Sequence, residues 1–267
     1  MKLPDFLYHY TSIETLALIL SKRTLRFNCL SFVDDPDESK ASDIEDIGRL
    51  CVVSCWTDRE EESIPMWQMY TPNSKGVRLK MRRYPFKEYP ATMKGSWIRL
   101  DNNEIGDEIG NLNNYRSYID ENKIARENRA FVIPPAPELI QMSYSNKEEM
   151  IYPQILFDKN NRFEISGIGQ YKRECWEFQS EWRYRILFTP FSAEGIEKRE
   201  GFESIKHSKN VPYKEYYLEL SENALEGAEV VMGPKTSEAE KIIVESLIEK
   251  FQGEYIVPVR QSKLSLR

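Results

Sequence analysis

The amino-acid sequence predicts an α+β fold, and three features carry that expectation. Apolar and polar residues alternate with period two from Gly76 to Arg83 and again from Cys175 to Phe188, as in strands with one buried face. Apolar residues recur at helical spacing most clearly after Thr11 and after Ser237. Strand and helix signals are interspersed without a regular strand–helix–strand repeat, which argues against a doubly wound sheet. The 267 residues, 40% hydrophobic and 30% charged, read as one domain spanning 1–267 with a core of ordinary size. No apolar run approaches the roughly 20 residues of a membrane span, and no signal peptide stands out. The expectation is a soluble cytoplasmic protein with no membrane partner.

In chain order, residues 3–10 form an aromatic-rich strand, and Thr11 with Glu14 has the spacing of a capping box. Ile13, Leu16, Ala17 and Leu20 give the helix that follows one buried face, and it ends near Ser21. Leu25-Arg26-Phe27 is the next strand. Asp34-Asp35-Pro36-Asp37-Glu38 reads as a turn, because Asp before Pro favours extended backbone and Asp side chains cap nearby amides. A divalent-ion site is the alternative there. Leu50 to Trp56 is an apolar strand, Thr57 to Ser63 a polar loop, and Pro65 opens a short helix that reaches Tyr70. Between Gly76 and Arg83, Val77, Leu79 and Met81 share one strand face, while Arg78, Lys80 and Arg82 make the other strongly basic. Residues 84 to about 140 give no readable element, and about 84–165 stands as an insertion. After Cys175, Trp176, Phe178, Ser180, Trp182, Tyr184 and Ile186 fall on one strand face, opposite Glu177, Gln179, Glu181, Arg183 and Arg185. The chain closes with strand Glu229 to Met232, a Gly233-Pro234 turn, a helix capped by Ser237 and Glu240, and strand Tyr255 to Val259. Ile243, Leu247 and Phe251 mark the buried stripe of that helix.

Composition excludes several chemistries. The only histidines are His9 and His207, so a His-rich metal site or a His–His acid/base pair is out. Cysteines 29, 51, 55 and 175 lack metal-type spacing and read as reduced thiols. There is no Walker A loop, dinucleotide GxGxxG, nucleophile elbow or zinc motif. With 37 Lys plus Arg against 43 Asp plus Glu, any nucleic-acid contact must come from a local patch.

Three constellations remain, each with a plainer structural alternative. His9-Tyr10-Thr11 lies where a strand meets a helix N-terminus, a junction suited to a phosphate-bearing ligand; Thr11 as a simple cap and His9 as a satisfied strand residue is the alternative. Tyr70 and Trp67 could stack on a flat cationic ring or serve as core contacts. Gln179 and Glu181, two apart on a strand, would share one face about 7 Å apart. A carboxylate there could stabilise an oxocarbenium-like sugar centre, or it could belong to a solvated ladder with Arg183 and Arg185. The basic strand of Arg78, Lys80 and Arg82 could track phosphates or be a solvated face.

The order of these elements resembles the ADP-ribosyltransferase superfamily, in which a strand-borne His, a Tyr on a short helix and a late Glu form the H-Y-E type of NAD site. The chain is still more similar to a bacterial domain family of unassigned activity near those transferases. Its landmarks match LYHYTS at 7–12, DDPDE at 34–38, SCW at 54–56, MWQMY at 66–70, SEWR at 180–183 and VVMGP at 230–234. The residue after His9 is Tyr, where poly(ADP-ribose) polymerases carry Gly.

The resemblance implies a split β-sheet core with flanking helices and NAD as co-substrate, with no metal. It implies that His9 bonds the adenosine-side ribose, that Tyr10, Thr11 and nearby amides support the nucleotide, and that Ser54 lines the nicotinamide pocket while Tyr70 stacks on nicotinamide. Glu181 would hold the nicotinamide ribose and stabilise the cationic centre, and Gln179 would position the incoming nucleophile. The expected activity is mono-ADP-ribosyl transfer to a macromolecule, with nucleic acid favoured through Arg78, Lys80 and Arg82. A toxin restrained by an antitoxin protein in phage defence is the role the family suggests. Transfer to a protein side chain and a catalytically inactive nucleotide- or partner-binding module stay open beside it.

Overall fold

Phe6–Thr11 forms β1, whose residues pair one for one with Val77–Arg82, strand β4, from Phe6↔Arg82 to Thr11↔Val77. Between them in the chain lie α1 (Ile13–Lys22), β2 (Thr24–Cys29), β3 (Cys51–Thr57) and α2 (Ile64–Tyr70). Beyond β4 come α3 (Glu121–Glu127), β5 (Val132–Gln141), β6 (Glu181–Phe188), β7 (Glu215–Glu219), β8 (Glu229–Met232), α4 (Glu238–Phe251) and β9 (Val259–Gln261). The architecture comes from a computed structural model that describes residues 3–90, 97–99, 104–106, 116–127, 132–157, 162–164, 167–190, 205–207 and 209–266. Among them, no helix is long and apolar enough to cross a membrane.

The nine strands make one mostly antiparallel sheet in a mixed α+β fold. The order is β7-β2-β3-β1-β4-β8-β9, with β6 paired to β3 and β5 to the far side of β6. Its rungs are unevenly spread. β3 and β6 pair from Thr57↔Glu181 to Cys51↔Leu187, whereas β3 meets β1 only at Thr57↔Tyr8 and β2 only at Val53↔Asn28 and Val52↔Cys29. The ladder is therefore open along one side of Ser54, Cys55 and Trp56. Alternation along β3 sorts its side chains into two cores: Val52 and Trp56 join Leu7, Leu16, Phe27 and Leu79 on one face, and Cys51 and Val53 join Leu30, Ile47 and Ile155 on the other.

Several expectations shift in detail. Thr11 stays in the β1–β4 ladder, so the cap of α1 passes to Ser12, whose hydroxyl accepts the Thr15 N–H at 3.1 Å. Leu16, Ile19 and Leu20 are the buried residues of α1. The expected strand from Cys175 is a 3₁₀ turn over Glu174–Gln179 that ends in a left-handed Ser180 at φ 41°, and the strand begins at Glu181. All eight residues of β6 are buried, so its arginines form no solvated face. The capping box of Ser237 and Glu240 forms, but the buried positions of α4 are Val244 and Ile248. The run Ile242-Ile243-Val244 leaves helical phase ambiguous by one residue, and Ile243 is 51% exposed. The last strand starts at Val259, because the Gln252 side chain takes the Val257 N–H at 3.1 Å.

In the part of the sequence without readable elements, β5 runs through Pro134 and Pro135. Its rungs to β6 jump from Ile133↔Leu187 to Glu138↔Arg185, so the two residues lacking N–H groups fall where the register slips. The outward basic face expected of β4 forms only in part, with Lys80 half-buried and Arg82 exposed. β4 lies between β1 and β8 and Arg78 is buried: its guanidinium donates to the Glu60 carbonyl at 2.6 Å and lies 4.7 Å over the Tyr8 ring. Lys80 covers the Phe6 ring and Arg82 pairs with Glu226.

Gly76 holds the entry to β4 against the end of β1. A Cβ there would sit 2.1 Å from the Thr11 carbonyl oxygen and 2.6 Å from Thr71 Cβ. Gly76→Ala is expected to destabilise the fold by about 1–3 kcal/mol through overpacking. The check is a lowered urea midpoint with an unchanged slope.

Candidate functional site

A cleft of about 770 Å³ opens where the β3 ladder is unpaired. This lies within the roughly 300–1,000 Å³ of small-molecule sites. His9 and Thr11 reach it from β1, Ser54 and Cys55 from β3, Tyr70 from the end of α2 and Glu181 from the start of β6. Tyr10 contributes at the wall: it is 5% exposed, its ring packs edge-on against Trp67, and its hydroxyl accepts the Ser63 N–H. Gln179 is buried and is not among the lining residues. Arg78, Lys80 and Arg82 lie away from the cleft.

His9 substitutes for the missing backbone rungs. Its Nδ1 lies 2.8 Å from the Cys55 carbonyl oxygen and its ring rests on Trp56 at 4.9 Å between centroids. A carbonyl only accepts, so Nδ1 carries the hydrogen. Burial lowers the imidazole pKa against the raising effect of that hydrogen bond, which leaves the ring neutral and Nε2 an acceptor. Ser54 fixes the packing behind it, since its hydroxyl accepts the Trp56 indole N–H at 3.0 Å.

The floor is a closed ring of four buried charges. Lys172 Nζ is 2.6 Å from Glu181 and 3.3 Å from Glu38, and Arg183 joins Glu181 at 2.7 Å and also binds Glu38. All four side chains are at most 6% exposed. Lys172 Nζ donates also to Gln179 Oε1 at 2.8 Å and faces the Trp176 ring at 5.3 Å. Gln179 Nε2 in turn donates to the Tyr70 hydroxyl. Burial alone would push the Glu181 carboxyl up, but Arg183 and Lys172 outweigh it and hold the pKa well below the usual carboxylate range. Lys172 is raised, because Glu181 and Glu38 overcome its desolvation. Burial raises the Tyr70 phenol and the Cys55 thiol, so both keep their protons.

The cleft thus holds a fixed carboxylate, a neutral imidazole acceptor and two aromatic faces, Tyr70 and Trp176. Such a set can bind a polar ligand with a flat ring and stabilise positive charge that develops beside Glu181. Lys22, Arg26, Asn28 and Tyr217 also line the cleft.

Sequence reasoning missed Lys172, Glu38 and Trp176 as parts of the site, and gave Arg183 a place only in the alternative of a solvated ladder. Glu38 lies in a run whose other members form an ordinary turn: Asp35 accepts the Asp37 N–H, and Asp37 pairs with Lys40 and Arg173. Only Glu38 of that run joins the ring, and nothing local marks it. No protein-family model, curated protein or solved structure matches this chain.

Two outcomes follow from the buried titratable groups. Lys172→Met should cost roughly 3–5 kcal/mol of folding stability, the usual penalty for stranding a buried partner, read from denaturant midpoints. Because the folded-state pKa of His9 is depressed, its neutral form contributes fully above the unfolded value of about 6.5. As pH falls below that, the unfolded chain gains a proton the folded chain refuses, and stability drops. His9→Gln should flatten this decline between about pH 7.5 and 5.5 in urea titrations.

Proposed function

We propose that the chain is an NAD-dependent mono-ADP-ribosyltransferase, built on the split-sheet core of that superfamily, which releases nicotinamide and modifies a macromolecule. The observation that carries this reading is the meeting of His9, Tyr70 and Glu181, from three separate elements, in one cleft at the opening of the β3 ladder. In the proposed reaction the bond between the nicotinamide nitrogen and ribose C1′ breaks, and the electron pair leaves with nicotinamide. The ionised Glu181 carboxylate stabilises the positive charge on the ribose. An acceptor nucleophile then bonds to C1′ and releases its proton to solvent. His9 Nε2, unprotonated, accepts from a ribose hydroxyl, while Tyr70 and Trp176 offer faces to the nicotinamide ring.

The basic strand that favoured a nucleic-acid acceptor is weak support, since Arg78 is internal and Arg82 is paired. Nucleic acid and protein side chains are both acceptors to test.

A second reading has one specific observation behind it. Each Glu181 oxygen already carries a cation, Lys172 on Oε2 and Arg183 on Oε1, which suits a nucleotide-binding module without turnover. Incubation with nicotinamide-labelled NAD decides between the two. The enzyme reading expects release of free nicotinamide, reduced about 10²–10³-fold in Glu181→Gln. Calorimetric binding of NAD with no release under any acceptor condition would establish the module instead. Incorporated ADP-ribose that is nuclease-sensitive or protease-sensitive identifies the acceptor.

A further inference from the structure

Hydrogen-bond chemistry gives a direction to the chain from Lys172 through Gln179 to Tyr70. An ammonium has no lone pair and can only donate. The Gln179 atom 2.8 Å from Lys172 Nζ must therefore be the amide oxygen, so the atom facing the Tyr70 hydroxyl is the amide nitrogen. That nitrogen also only donates, and the Tyr70 oxygen accepts. The phenol has one proton, and it is turned away from Gln179. Tyr70 is half-buried and lines the cleft, and among the described residues its hydroxyl makes no other hydrogen bond.

The amide is held from behind. Lys172 is fixed between the two carboxylates Glu38 and Glu181, so it cannot swing away and let Gln179 reverse without breaking buried ion pairs. Gln179 is itself locked by the 3₁₀ turn that ends at the left-handed Ser180.

We infer that Lys172 and Gln179 are positioning residues that commit the Tyr70 hydroxyl to donate its proton to an oxygen of the ligand held in the cleft. The inference uses the functional proposal only in taking NAD as the probe. It makes Tyr70 more than a ring to stack on: a ligand presenting an acceptor oxygen to Tyr70 is favoured, and one presenting a donor is refused, because two donors would face each other.

Two substitutions at one position separate polarity from shape. In Gln179→Glu the new carboxylate accepts the Tyr70 proton and turns the phenol away from the ligand. In Gln179→Met the thioether is too weak a partner to compete, and Tyr70 keeps its proton for the cleft. Calorimetry with NAD is expected to show binding about tenfold weaker in Tyr70→Phe and Gln179→Glu, and a clearly smaller loss in Gln179→Met, which removes the amide without offering Tyr70 a competing acceptor. A role in shape alone gives another order, with Gln179→Glu, the closer match in size, binding at least as well as Gln179→Met. Wild-type affinity in Tyr70→Phe, or in Gln179→Glu, overturns the proposal.

A ligand-free measurement keeps the two proposals apart. With tyrosine labelled at Cζ by ¹³C, the Tyr70 resonance is identified by its loss in Tyr70→Phe. It should move downfield in Gln179→Glu, as the phenol begins to donate to a carboxylate, and stay near the wild-type position in Gln179→Met. No movement in Gln179→Glu refutes the relay. If the protein does not bind NAD, the functional proposal falls and this shift still judges the relay.

Discussion

The ion-paired ring of Glu38, Lys172, Glu181 and Arg183 is the constraint on which the site depends. Two carboxylates and two cations alternate around it, so the group is neutral as a whole although each member is costly to desolvate alone. Its parts come from a turn after β2, a short strand before the 3₁₀ segment, and β6. Once closed, it holds those elements together on the floor of the cleft and fixes which atoms face the ligand. Glu181 is kept ionised by neighbours that belong to the fold, not by solvent.

The open edge of β3 is the second determinant. A fully paired sheet would have filled the space between β1 and β2 with backbone rungs. Here the rungs stop at Thr57 and resume at Val53, and His9 supplies a side-chain hydrogen bond to Cys55 in the interval. The hydrogen-bonding capacity of the unpaired carbonyl is met, and the neutral imidazole that meets it belongs to a residue that lines the cleft. Fold and site are joined at this point, because the residue that satisfies the sheet also lines the pocket.

Much of this was legible in the sequence where local patterns carry it. Alternation located β4 and β6, helical spacing located α1 and α4, and the order of His9, Tyr70 and Glu181 pointed to residues that do share a cleft. The failures have physical causes. The alternative of a solvated ladder through Arg183 and Arg185 rested on charges usually being exposed, and only their partners, Glu38 with Glu181 and Glu138, make their burial tolerable. Period-two geometry was extended across Gln179 and Ser180, where a left-handed residue instead brings Gln179 and Glu181 onto one ammonium. Lys172 stood in a stretch without readable pattern. Its role arises from contacts with positions 38, 179 and 181, which no local window contains.

The separation of those positions has a kinetic meaning. Glu38 must wait for Lys172 and Arg183, more than 130 residues later in the chain, before its charge is compensated. Contacts of such range form late, since the entropy of closing long loops must be met first. An emerging chain that has made β1, β2 and β3 carries a carboxylate with no counter-ion and a cleft with no floor. The floor of the site therefore exists only once Lys172 and β6 have packed against the turn that carries Glu38, so an intact ring marks a chain whose early and late segments are joined.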